Sequence, residues 1–144
     1  MYIAKLDFKR GSTFIDSTSV ELDDNGVLID SIAKKCSPPT NLNYERSRYH
    51  LLGKVSVFGQ SASCVIEVGE GRILRINFLF DLIEFFESSI LESAIVKAYE
   101  NSLSLKFLCD HPSTAYLDVC EWGSATFFYD AKPGDLSLDV AIKR

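Results

Sequence analysis

Segments in which apolar and polar residues alternate recur along most of this chain, and they constrain its fold more than any other feature. The clearest segment is RILRINFLF, residues 72–80, where Leu74, Ile76, Phe78 and Phe80 share one parity. Successive side chains of a β-strand point to opposite faces, so this pattern predicts strands with one buried side. Further segments of this kind lie at 2–10, 49–58, 62–68, 102–108, 114–122, 125–131 and 136–142.

A different pattern follows the strand predicted at 72–80. Asp81 stands where a helix N-cap belongs, and Glu84 lies three residues later, which favours a helix start. Apolar residues then recur at helical spacing, which predicts one long helix near residues 82–100. Short connections between the predicted strands favour antiparallel pairing. The expected fold class is therefore α+β, with about eight or nine strands in a mostly antiparallel sheet packed against this helix.

The apolar stretch FLFDLIEFFESSIL, residues 78–91, is too charged to be a membrane span. A spanning helix needs about 20 mostly apolar residues, and Asp81, Glu84, Glu87 and Glu92 fall within one such window. The polar face of the predicted helix is acidic, which also disfavours binding to an anionic membrane surface. We expect no contact with membranes.

Length and charge limit the organisation of the chain and its partners. The chain has 144 residues, which fits a single domain over 1–144. The formal net charge is −5, and the excess of acids falls after residue 54. A negative field opposes binding to nucleic acid, which depends on neutralising phosphates. It favours a basic protein partner, although net negative charge also simply maintains solubility.

Cysteine usage predicts a reducing compartment. The four cysteines form no C-x-x-C pair, and the first residues, MYIAKLDFKR, contain no apolar run of the secretory type. Buried, reduced thiols in a cytoplasmic protein are the expectation.

No motif for catalysis, for a metal or for a cofactor stands out, so we expect a protein that is not an enzyme. Cys109 and His111 surround Asp110 in CDHPS, but adjacent residues of a predicted turn rarely converge as a catalytic pair. Zinc would need about four ligands at suitable spacing, which this sequence does not offer. We therefore expect no catalytic residues and no metal-ligating residues.

Aromatic and acidic residues are interleaved near the carboxyl end of the chain. Two predicted strands there carry five aromatic residues, and alternation places Phe127 and Phe128 on opposite faces. Aromatic side chains that lie among carboxylates suit the binding of a basic protein partner. The alternative is a sheet covered on both faces, with cross-strand aromatic pairs. The predicted partner-binding residues are Asp118, Glu121, Trp122, Phe128 and Asp130.

Together these features predict a non-enzymatic protein-binding domain. One concrete form is an acidic protein of the immunity or antitoxin type, which masks a basic partner. Two alternatives are a protein that binds small apolar ligands and, with less support, an enzyme that depends on Cys109. A second apolar strip on the 82–100 helix, with Phe85, Leu91, Ile95 and Tyr99 as its candidate residues, is a further expected surface for a homodimer; the alternative is burial under a loop or another strand.

Overall fold

The structure is a computed structural model that describes ten segments of the chain. The described residues are 1–7, 12–21, 32–42, 46–57, 59–69, 72–81, 108–111, 114–117, 123–130 and 135–142.

Twelve β-strands account for most of the described residues. They are β1 (Tyr2–Asp7), β2 (Ser12–Ile15), β3 (Thr18–Glu21), β4 (Thr40–Asn41), β5 (Arg46–His50), β6 (Val55–Val57), β7 (Gln60–Gly69), β8 (Arg72–Phe80), β9 (Leu108–His111), β10 (Thr114–Leu117), β11 (Gly123–Asp130) and β12 (Asp135–Ile142). β8 confirms the strand predicted at 72–80, and β12 contains the segment predicted at 136–142.

These strands form one mixed sheet. Its main path runs β3-β2-β1-β6-β7-β8-β12-β11-β10-β9, and β5 joins β4 to β7 beside that path. Neighbours pair antiparallel except for β1 and β6, which run parallel. That pairing joins Tyr2 to Val55 and Ala4 to Val57, so it brings together segments far apart in the sequence.

The edge of β7 away from β8 holds two different neighbours. β6 pairs with its first residues and β5 with residues 65–69. The single strand predicted at 49–58 is therefore wrong, because the chain bends between β5 and β6. At this bend the Leu51 N–H donates to the carbonyl of Cys64 at 3.0 Å. A Cβ added to Gly53 would lie 3.1 Å from the Tyr2 ring, so a small residue suits this position.

The sheet has one apolar face and one largely polar face. On the apolar face, which we call the inner face, Ile66, Ile76 and Phe78 are at most 2% exposed. They belong to one cluster with buried residues from β1, β2, β3, β6, β11 and β12. The opposite face, which we call the outer face, carries Arg48, His50, Ser63, Val65, Glu67, Arg75, Asn77, Leu79, Thr126, Phe128, Ser137 and Asp139.

The predicted α+β class is wrong. Most of the described residues lie in β-strands of one sheet, and they include no long helix. Period-two alternation runs through these segments, and it buries one side of each strand without calling for helical packing. The expected helix near 82–100, with its proposed homodimer surface, lies outside the described residues. The strand before it ends at Phe80, as predicted.

Candidate functional site

Of the predicted partner-binding residues, only Phe128 has a described side chain. It lies on β11 and is 47% exposed on the outer face. Asp130 closes the same strand. Asp118, Glu121 and Trp122 lie outside the described residues. The structure therefore places Phe128, one of the two aromatic residues of the predicted site, on an accessible surface.

A second exposed apolar side chain shares a row with Phe128. Cross-strand pairing runs from Phe128 to Ser137, then to Leu79 and to Ser63. Leu79 is 40% exposed. Phe128 and Leu79 therefore stand two strands apart, roughly 10 Å at about 4.8 Å per strand. The sequence carried a signal for Leu79, because its parity matches Arg75 and Asn77 rather than the buried residues of β8.

Two further rows of the outer face are polar. One runs from Arg48 on β5 to Glu67 on β7 and Arg75 on β8. The other runs from the exposed His50 through Val65 and Asn77 to Asp139. Side chains of both rows line a partly open cavity of about 290 Å³. The lining residues are Arg48, His50, Val65, Glu67, Arg75, Asn77 and Asp139.

Ion pairs organise the carboxylates of this cavity. Arg75 Nε lies 3.1 Å from Asp139 Oδ2, and Asn77 Nδ2 donates to Asp139 Oδ1 at 3.4 Å. Arg46 Nη1 lies 3.5 Å from Glu67 Oε1. Burial raises the pKa of Asp139 against the lowering effect of Arg75 and of the Asn77 hydrogen bond. Both carboxylates are thus partly buried and already paired with arginine.

A small network links β7 to the residue that follows β8. Lys54 Nζ donates to Ser63 Oγ at 3.0 Å and to Asp81 Oδ1 at 2.9 Å. Hydrogen bonds from Lys54 and then from Ser61 lower the pKa of Asp81. A serine beside a lysine can be a nucleophile with its base. Here the Lys54 ammonium is ion-paired with Asp81 at 2.9 Å, so the described contacts of this lysine link β7 to the end of β8.

The two cysteines whose side chains are described are inert by environment. Cys36 and Cys64 are free and buried. Burial raises the pKa of Cys64 to about 12, with a smaller contribution from Cys36. Cys109 and His111 belong to strand β9, so the turn expected at these residues is a strand. A thiolate nucleophile is disfavoured at Cys36 and Cys64.

Within the described ranges, no group of three or more metal-ligating side chains comes together. No helix in the described part is long and apolar enough to cross a membrane. Comparisons of the chain with known protein families, with curated proteins and with solved structures found no match.

Sequence reasoning missed the cavity on the outer face. Arg48, Glu67 and Asp139 come from three strands that are distant in the sequence and meet only through the sheet order. Each residue has the parity of a solvent-facing position, which is the signal the sequence contains. Their convergence depends on pairing between strands, which parity alone does not specify.

Proposed function

We propose that this chain is a non-enzymatic protein-binding domain that engages a basic protein partner through the outer face of the sheet. The observation that carries the proposal is the joint exposure of Phe128 and Leu79 in one row of that face. A protein of the immunity or antitoxin type, which masks a basic partner, is the concrete form we favour.

The outer face has the composition of a protein interface. Interfaces combine a few apolar or aromatic anchors with a polar rim, and a small number of anchors supplies most of the affinity. Phe128 and Leu79 are the anchors, and the charged rows that end at Arg75 and Asp139 form one side of the rim. Burial of these two side chains under a partner removes apolar surface from water, which favours association.

The charge of the chain supports a basic partner. The formal net charge is −5 and the sequence pI is about 5.0. Long-range attraction of this kind mainly accelerates association and is screened by salt. The complex should therefore form faster at low ionic strength than at high ionic strength.

We also propose that the protein works in the cytoplasm. The support is that Cys36 and Cys64 are free thiols in the described structure, as is usual for proteins of reducing compartments.

A ligand-binding function of the apolar kind has less support. Of the described residues that line the outer-face cavity, only Val65 is apolar. A purely apolar molecule there would strip water from charged groups without replacing their hydrogen bonds, which costs free energy.

The test is quantitative affinity capture with the tagged full chain at low salt, comparing wild type with Phe128→Ala and Leu79→Ala. Leu52 is 70% exposed and lies outside the cross-strand row that contains Phe128 and Leu79, so Leu52→Ala is the matched control. We expect wild type and the control to retain one cationic protein that the two outer-face variants lose. The captured protein, once purified, must rebind the wild-type chain in isolation.

Three results would overturn this proposal. The first is equal capture by all four proteins, which would leave the outer face without a role. The second is a retained protein that is acidic rather than basic. The third is a captured protein that does not rebind after purification.

A further inference from the structure

The cavity on the outer face borders the proposed protein interface, with which it shares Arg75 and Asp139, but it does not include the anchors Phe128 and Leu79. It measures about 290 Å³ and is lined by side chains from four adjacent strands, β5, β7, β8 and β12. This volume lies just below the range of about 300–1,000 Å³ that is usual for small-molecule sites. Charged groups dominate the described lining, so its ligand must be polar.

The two carboxylates of the lining are already matched by arginine. Asp139 uses one oxygen for Arg75 at 3.1 Å and the other for Asn77 at 3.4 Å. Glu67 pairs through Oε1 with Arg46, which is not among the described lining residues. A ligand cation would therefore have to displace existing ion pairs, which makes this cavity a poor site for one.

Arg48 and His50 are the ionisable lining residues whose side chains have no partner among the described residues. Both side chains are exposed, and neither makes a hydrogen bond or an ion pair with another described residue. They are alternate residues of β5, so they point to the same side about 7 Å apart. A guanidinium presents a planar set of donors that matches phosphate and carboxylate oxygens.

We propose that the cavity binds a small polar molecule through an anionic oxygen group, either a phosphate or a carboxylate. Arg48 donates to this group, and His50 lies on its other side. The body of the ligand lies over Val65 toward Asn77, whose amide oxygen is available to a hydroxyl group. This site is separate from Phe128, so it stands or falls independently of the protein-binding proposal.

The test is a titration of the full chain followed by backbone amide chemical shifts. The three probes are inorganic phosphate, acetate and glucose 6-phosphate, which separate the phosphate from the carboxylate and add hydroxyl groups. We compare wild type with Arg48→Gln and His50→Gln. Lys5→Gln is the control, since Lys5 is an exposed cation on β1 and its loss changes the net charge equally.

We expect saturable shifts in β5, β7 and β8 with at least one of phosphate and acetate, and whichever binds identifies the head group. Arg48→Gln should weaken binding at least tenfold, whereas Lys5→Gln should leave it within about twofold; tenfold corresponds to about 1.4 kcal/mol. The absence of saturable shifts with all three probes would overturn the proposal. Equal weakening by Arg48→Gln and Lys5→Gln would do the same, because it would indicate only general charge attraction.

Discussion

Phe78 and Leu79 are neighbours on β8 that point to opposite faces of the sheet, and their truncation tests both faces at once. Phe78 is fully buried on the inner face, so Phe78→Ala should destabilise the fold by about 3–5 kcal/mol through lost transfer energy and a residual cavity. Leu79→Ala removes three carbons, worth roughly 2.4 kcal/mol at about 0.8 kcal/mol per buried carbon. Leu79 is 40% exposed, so about 60% of that loss, ~1.4 kcal/mol, is expected.

The assay is urea unfolding of the full chain, monitored by circular dichroism, with the free energy of unfolding extrapolated to zero urea. The slope of each transition must match that of the wild type, so that the comparison reports stability alone. The losses of the two variants should differ by about 1.6–3.6 kcal/mol. Equal losses, or a larger loss for Leu79→Ala, would refute the reasoning. Such a result would mean that the outer face is covered by its own chain and is not free to bind a partner.

Three other predictions concern a thiol, an ion pair and a glycine. Burial raises the pKa of Cys64 to about 12, so an alkylating reagent at about pH 8 should label it slowly in the native protein and rapidly in urea, as mapped by peptide mass spectrometry. The hydrogen bond with Lys54 lowers the pKa of Asp81, so this pair stabilises the fold at neutral pH and the contribution disappears as the pH falls through the lowered pKa. The stability advantage of wild type over Asp81→Asn should therefore shrink during acid titration, and an advantage that grew on acidification would contradict the assignment. A Cβ at Gly69 would lie 2.8 Å from Leu74 Cδ1, so Gly69→Ala should lower the free energy of unfolding by about 1–3 kcal/mol, as measured by thermal unfolding. An unchanged unfolding midpoint would show that Leu74 moves aside freely.

Local alternation was sufficient to predict individual strands and the faces of their residues. β8 runs over Arg72–Phe80, with Ile76 and Phe78 buried and Arg75 exposed, as the parity indicates. His50 is exposed for the same reason. These features depend only on the geometry of one extended segment, which the sequence of that segment contains.

Features that depend on pairing between distant segments could not be predicted. The parallel contact of β1 with β6 and the sharing of one β7 edge by β5 and β6 are set by sheet topology. Apolar residues before and after the bend at Gly53 occupy positions of the same parity. The alternation pattern alone therefore indicated one continuous strand over residues 49–58. The outer-face cavity is a product of this topology, and its arginines and carboxylates meet only after the strands are ordered.

Helical spacing in the segment after Asp81 led the sequence interpretation to an α+β class. The described residues are built from strands, and the buried residues of β1, β2, β7, β8, β11 and β12 form one apolar cluster together. A periodic pattern in one segment is evidence about that segment only. The class of the whole fold depends on how the other segments pair.

The most direct test of the protein-binding proposal is the affinity of the purified cationic partner for three forms of this chain, measured by titration calorimetry. Phe128→Ala should weaken binding at least tenfold relative to wild type, as expected for an aromatic anchor. Leu52→Ala should bind within about twofold of wild type, and the affinity of every form should fall as salt rises from about 50 mM to about 500 mM. An affinity of Phe128→Ala equal to that of the wild-type chain would contradict the proposal that the outer face is the binding surface.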